Sequence, residues 1–461
     1  MTPDPDAAPP SFPGYDAEHR VVPASDGRTT LDLDSIAPGA DVVLPDGDVH
    51  LRGQFAADGA GAVRFRAATG AEPTLVVPPD YNRFAISVAG EHFVFDGIDV
   101  DVGEETGVAG IRAHADTLLV RDVAFVGRGT HPDGEVTNCF NLAVTHPDGT
   151  GVVRDVVAAE GSTWARYKGG DGRIWAWVGG DHVGELRVQR CRVEEFGNNG
   201  IYGSEAPGRV VVERCAFWNN NVASIRVGAD GCTVRGTVVG VDPARYAGPR
   251  EPARESESFF MRGLWVEAKR GALDSPGRVT LDRSRVVVRG GDGRADASGD
   301  ASLPTGVCGV VVRPNAGALD VRDADVRVDA PGVPPILAKR PGTAGPHAST
   351  DPPHDVTLER TRVVDTARVD ALVSVTGRDL TVGDGCCLEG DGDGTDGVAV
   401  ADGACSVGAC TVRVPGEAVR APASRVDRSR VDTDGTCDGE WGSVEAAPPV
   451  RAVDLPGVPP A

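Results

Sequence analysis

Lysine is almost absent: of the 46 basic residues in this 461-residue chain, three are lysines, and 68 acidic residues give a formal net charge of -22. So acidic a balance excludes nonspecific nucleic-acid binding, which needs a basic footprint. Lysine-poor and rich in Ala, Gly, Val and Asp, the composition resembles that of a halophile's protein, in which surface acid serves solubility. No apolar run reaches the roughly 20 residues that span a bilayer, so no membrane association is expected. The opening MTPDPDAAPPSFPGYDAEHR lacks the basic start and apolar stretch of an export signal, which predicts a soluble, cytoplasmic protein. The ten cysteines show no zinc spacing.

What the chain has instead is a repeat. ELRVQRCRVEEFGNNGIYGSEAPG is followed by RVVVERCAFWNNNVASIRVGADG, and CTVRGTVVG opens a third copy. Each copy reads as an alternating strand, a small corner residue, a further apolar residue, a polar corner and a second short strand. Coil starts fall at Phe93, Leu118, Gly151, Leu186, Val210, Cys232, Val279, Leu319, Val356, Leu380, Cys405 and Ser424. Two residues on, every coil is apolar, from Phe95 and Val120 to Val407 and Val426. Three on, none is aliphatic, and seven on all are apolar again, from Val100 to Val431. Alternation of period two predicts strands. One such strand cannot bury its face, whereas stacked copies share a continuous core.

With this register and the asparagines Asn198, Asn199, Asn219, Asn220 and Asn221 at the corner before the second strand, the chain resembles the right-handed parallel β-helix proteins of the pectate-lyase-like superfamily over roughly residues 40 to 440. The resemblance implies an all-β, single-domain right-handed parallel β-helix of about 12 to 14 coils, with loop insertions on one side. The polygalacturonase set of paired Asp, His-Gly and Arg-Ile-Lys motifs is missing, as is the Arg-containing motif of the calcium pectate lyases; Arg245 to Arg254 does not reproduce it. One fold hosts many functions, so activity has to be argued from the site.

The expected organisation is a Pro- and Asp-rich tail at 1–28, a β-helix at 29–440 and a Pro- and Ala-rich tail at 441–461, monomeric in solution. Several coils exceed the basic length, with extra residues near 127–138, 159–172, 241–260, 270–278, 289–305 and 340–354. Such insertions wall one surface of a solenoid. Cys191, Cys215 and Cys410 fall at the small corner position, and Cys232 and Cys405 at core-facing coil starts, which reads as buried small hydrophobes.

On the second strand, inward Ile111, Leu142, Ile201, Leu264, Val310 and Ile336 leave an outward face that includes Arg112, His114, Tyr202, Arg226 and Trp265. In IWAWV, Ile174, Ala176 and Val178 are expected inward, with Trp175 and Trp177 outward. Outward aromatics suit the apolar faces of sugar rings or anchor a loop. Lys269, Arg313 and Lys339 are read at one outward position in three successive coils; such a ladder repels itself unless an anionic ligand or interleaved carboxylates neutralise it. The leading reading is therefore a carbohydrate-active protein that binds an acidic polysaccharide, with Trp175, Trp177, Tyr202, Arg226, Trp265 and Lys339 as binding residues. If it cleaves as a lyase, Lys269 is the base and Arg313 a charge stabiliser. If it is a hydrolase, the carboxylates come from Asp181, Glu205 and Glu267. The alternative is a noncatalytic scaffold or binding module. THPDG at 130–134 and 145–149 and GGDHVG at 179–184 place His131, His146 and His182 in turn sequences. They are read as turns; were a metal held there, calcium would be expected before zinc.

Overall fold

The computed structural model describes residues 15–103, 107–129, 136–162, 172–242, 261–269, 277–290, 307–342, 353–421, 430–435 and 437. These residues form a single-domain parallel β-helix: 37 strands hydrogen-bond in parallel, and the only helical element among them is the 3-10 turn Leu33–Ser35. No described helix is long and apolar enough to cross a membrane.

Each regular coil contributes three strands, one to each of three ladders. In the first, Glu185–Gln189 pairs with Arg209–Glu213, and that strand with Thr233–Arg235. The middle ladder stacks Arg192–Glu194, Ala216–Trp218, Val238–Val241 and Arg285–Arg289. The third stacks Ile201–Gly203, Ile225–Val227, Arg262–Val266, Cys308–Val312 and Ile336–Ala338. The coil starts read from sequence pair in register, Phe93 with Leu118, Leu186 with Val210, and Val279 with Leu319 and then Val356. Ser424 lies outside the described residues.

Two strands per coil is a count the structure corrects to three. The seventh-position apolar residue is the inward residue of a middle strand, as Val193 and Phe217 are. These strands are only three to five residues long, so most offer one or two inward positions and no visible alternation. Inward residues of all three ladders, such as Val188, Phe217 and Ile225, are fully buried in one hydrophobic column. Each such side chain contributes roughly 1.5–3 kcal/mol by leaving water.

The corner between first and middle ladders has its own chemistry. Its turning residue adopts positive φ in coil after coil: Arg190 at 52°, Arg214 at 54°, Arg283 at 44°, Asp323 at 49° and Arg360 at 43°. That geometry is uncommon for non-glycine residues, so neighbouring contacts have to hold it. The small residue that follows does so. Cys191 N–H donates to Cys215 Sγ at 3.3 Å, Cys215 N–H to Thr237 Oγ1 at 3.3 Å, and Thr237 N–H to Ser284 Oγ at 3.1 Å. The Ser284 hydroxyl in turn donates to Asp282 O at 2.9 Å. Gly385, at φ 74°, adds one residue to its coil and brings Cys386 to this position, paired in register with Thr361. Cys191, Cys215, Cys232, Cys405 and Cys410 are buried free thiols, but Cys387 and Cys437 form a disulfide that sequence spacing did not reveal.

The asparagine corner between middle and third ladders is buried too. Asn220 Nδ2 donates to Val193 O at 3.1 Å and its Oδ1 accepts from Phe196 N at 3.2 Å, while Asn221 Nδ2 donates to Gly197 O at 3.2 Å. These amides satisfy backbone groups that the turn removes from the ladders. Strand Ala17–Arg20 stacks on Ala40–Leu44 as the first rung. The insertions near 127–138, 159–172, 241–260 and 289–305 leave from middle strands and return at third-ladder strands, as Val238–Val241 and Arg262–Val266 do around 243–260, whereas those near 270–278 and 340–354 leave from third-ladder strands and return at the next first-ladder strand. Most inserted residues, and the C-terminal tail, lie outside the described residues.

One inward position of the middle ladder carries charge. Asp365 pairs with Val328, which pairs with Val288. Its carboxyl is fully buried; Oδ1 accepts from Ala367 N at 2.7 Å and Oδ2 has no hydrogen-bond partner among the described residues. Burial, reinforced by Asp329 and Asp391 and only partly opposed by the Ala367 N–H, pushes it up to about 6. The unfolded carboxyl ionises first as pH rises through about 4, so stability falls between about pH 4 and 6 and stays lower above. Asp365→Asn should therefore raise the melting temperature at pH 7.5 and leave it nearly unchanged at pH 4, as followed by circular dichroism. An equal shift at both pH values would contradict this assignment.

Candidate functional site

Parallel pairing aligns the outward residues of the third ladder into a row: Arg112, Asn141, Trp177, Tyr202, Arg226, Trp265, Val311, Leu337 and Ser374. Four of the sequence-predicted binding residues, Trp177, Tyr202, Arg226 and Trp265, are consecutive in it. Trp175 is not in the row. It lies before the strand Ala176–Val178, at a corner where two successive residues face inward, and is fully buried. Its ring packs edge-on against Phe140 at 5.7 Å and Phe217 at 6.0 Å. Other coils fill this corner with Gly200, Ser224 and Gly263, whose small size hid its inward direction.

The predicted cation ladder is also rearranged. One residue beyond the paired Val266, Val312 and Ala338 stand Glu267, Arg313 and Lys339. Lys269 is two residues further along and does not share this column. Counting from the coil start missed this because the strand Arg262–Val266 ends before Lys269.

Three charge clusters result. Arg226 lies between the rings of Tyr202, at 4.5 Å, and Trp265, at 4.4 Å. Its Nε donates to Glu267 Oε2 at 2.7 Å and its Nη2 to the same oxygen, and both side chains are buried. Arg313 Nε stands 4.0 Å from Glu267 Oε1 and 5.1 Å, measured from its Cζ, from the Trp265 ring. Lys269 Nζ donates to Glu205 Oε1 at 2.7 Å, the oxygen to which Tyr202 OH also donates at 3.1 Å. Burial alone would lower the Lys269 ammonium, but the bonds to Glu205 and Tyr202 outweigh it and hold it above the usual lysine value. The exposed Asp181 meets His114 Nδ1 at 3.3 Å, and His114 Nε2 lies 3.0 Å from Asn141 Oδ1. Asp181, Glu205 and Glu267 thus each face a different basic side chain.

Lys339 is different. Half-buried, it contacts no carboxylate among the described residues, in which it is like Arg112 and Arg368, and burial with the neighbouring Arg313 and Arg262 pulls its ammonium below the usual value. Two residues before it in the same coil, Leu337 joins Ser374 in lining a groove of about 550 Å³, walled by Pro331, Pro334, Arg368 and Asp370 and not by Lys339 itself.

Sequence counting missed Arg262 and Arg368. Arg262 lies over the Trp265 ring at 4.3 Å and donates to Val222 O at 3.0 Å. The histidine motifs resolve as turns where they are described: His146 Nδ1 accepts from Asp148 N at 3.2 Å. Buried His182 accepts from Val144 N at 3.0 Å through Nδ1 and donates through Nε2 to Arg209 O at 3.1 Å. Burial drives it down to about 4, leaving a neutral strut. His131 lies outside the described residues. Among those described, no three His, Cys, Asp or Glu side chains are grouped as a metal site.

No protein-family model matches the chain, and no curated protein does. Among solved structures it is similar to the family 28 exopolygalacturonase of Yersinia enterocolitica, at 10% identity, covering 87% of this chain and 79% of that one, with a TM-score of 0.23. A score of that size carries no argument about this site. The fold itself defines the class: a parallel β-helix with an aromatic and cationic outer face.

The Arg226–Glu267 pair is buried, so breaking it from one side strands a charge. Glu267→Gln should destabilise the protein by roughly 3–5 kcal/mol, and Arg226→Leu/Glu267→Leu should recover most of that loss. Urea unfolding of both variants checks it; a single variant within about 0.5 kcal/mol of the parent would show the pair to be solvated.

Proposed function

We propose that the chain is a carbohydrate-recognising β-helix that binds an acidic polysaccharide along the outer face of the third ladder. The observation that carries the reading is Lys339: in a chain of net charge -22, a half-buried ammonium beside Arg313 faces no carboxylate among the described residues. A cation left unneutralised in so acidic a protein suits an anionic ligand. The groove past Leu337 and Ser374 gives a polymer a path, and the partly exposed Trp177 offers a ring face farther along the row, while Tyr202 is buried under Arg226 and Lys269. A polymer with repeated carboxylates matches a surface whose side chains repeat from coil to coil at strand spacing.

The reading is binding rather than cleavage. A lyase base must accept a proton, and Lys269 is held as an ammonium by Glu205 and Tyr202. A hydrolase needs two carboxyl groups converging on one bond, whereas Glu205 is engaged by Lys269 and Glu267 by Arg226. Arg226, Glu267 and Trp265 act in this reading as the buried support of the face, with Lys339, Arg313 and the groove as the contact surface.

Isothermal titration with polygalacturonate, and with dextran as neutral control, tests it. Binding to the anionic polymer alone is expected, weakening with salt and roughly tenfold in Lys339→Gln, the scale of one charge-assisted hydrogen bond. Neither ultraviolet-absorbing unsaturated ends nor new reducing ends should form. Equal affinity of parent and Lys339→Gln would sink the site, and product formation would move the function to cleavage.

A further inference from the structure

Arg378 is fully buried; among the described residues no carboxylate is hydrogen-bonded to it, and Asp355 acts on it only through space. Its five N–H groups all meet backbone carbonyls. Nε donates to Lys339 O at 2.7 Å; Nη1 donates to Gly317 O at 2.6 Å and His354 O at 3.1 Å; Nη2 donates to Arg313 O at 2.9 Å and Ala316 O at 3.0 Å. A guanidinium has five donors in a fixed fork, so every one is used. Two of the five carbonyls belong to the cations of the proposed contact surface, Arg313 and Lys339.

We infer that Arg378 is the positioning residue of this anion site, fixing the backbone from which Lys339 and Arg313 project. The register explains how it reaches. Arg378 occupies a corner position that is Gly277 and Gly317 in earlier coils and His354 in the coil before its own. Gly377, at φ 62°, turns the chain immediately before it. From there its side chain runs back along the corner to the carbonyls of both preceding coils. Burying a cation with only neutral acceptors is costly, and the site that results carries Arg313 and Lys339 side by side despite their mutual repulsion. The rigid fork offsets that repulsion by holding the turn 313–317 and the end of strand Ile336–Ala338 together. Burial drops the Arg378 guanidinium to about 10, still charged at neutral pH.

The inference rests on the proposed function only for its binding arm, so the experiment has two arms. Arg378→Lys keeps the charge and loses the fork; Arg378→Gln keeps two donors and loses the charge. For each variant whose circular dichroism and cooperative melt match the parent, polygalacturonate affinity is measured. In the same proteins, without polymer, the acetylation rate of Lys339 by acetic anhydride is read by peptide mass spectrometry against Lys269. In the parent, Lys339 should react faster than Lys269, whose ammonium Glu205 holds. In folded Arg378→Lys, affinity should fall roughly tenfold and the Lys339 rate should move severalfold while Lys269 stays put. A folded variant with parental affinity and parental Lys339 reactivity overturns the inference. So does failure of both variants to fold, which would make Arg378 a support of the coil alone. If the parent binds no anionic polymer, the proposed function is lost while the acetylation arm still decides the role of Arg378.

Discussion

The whole molecule depends on strands too short to be stable alone being paired in register with their copies above and below. A three-residue strand such as Ile201–Gly203 offers one central side chain and a few backbone bonds. It persists because Ala176–Val178 and Ile225–Val227 complete its ladder on both sides. Every other feature answers to that stacking. Inward positions must be apolar and of matched size, and corners must turn through strained backbone without orphaning N–H groups. Outward side chains are forced into rows whatever their charge. The corner run Cys191, Cys215, Thr237 and Ser284 shows how little chemistry suffices: any small side chain that can accept one backbone proton serves, and thiols do so as well as hydroxyls.

The fold was legible where the period is carried by several residues at once. In the first ladder an apolar start, an apolar third position and a non-aliphatic fourth fix the register without ambiguity, and the pairings follow it from Phe93 to Cys405. The middle ladder was legible only as a recurring apolar residue, because a strand presenting one inward residue has no internal pattern. Trp175 defeated the pattern by sitting at a corner, where alternation does not hold. Lys269 defeated it by lying past the end of its strand. The Cys387–Cys437 bridge left no trace because it links a strand to a segment far along the chain. Arg378 was not marked by its register position, which is Gly277, Gly317 and then His354 in earlier coils, and only the observed contacts say where its side chain goes.

Many of the outward arginines among the described residues are paired with carboxylates of the same or a neighbouring coil. The Arg121–Asp96 and Arg190–Asp155 pairs join neighbouring coils at 2.7 Å, turning like-charge repulsion between stacked rows into attraction. Such pairs are individually worth little in water, yet without them a row of identical charges at strand spacing would push coils apart. Against that regular pairing, Lys339 stands out by contrast rather than by any motif. Its meaning lies in what the neighbouring columns have and it lacks.

The disulfide has a consequence for how the structure comes apart. A solenoid frays from its ends, because a terminal coil has a neighbour on one side only. Cys387 and Cys437 are separated by 50 residues, a span that takes in the strands Asp396–Ala401, Cys405–Val407, Cys410–Arg413, Val419–Arg420 and Val431–Asp432. Tying the two ends of that segment together means the last coils cannot peel away one at a time; they leave as a closed loop or stay. The described coils are therefore mechanically unequal: those between Cys387 and Cys437 are tied into one unit, and those before Cys387 carry no such tie among the described residues.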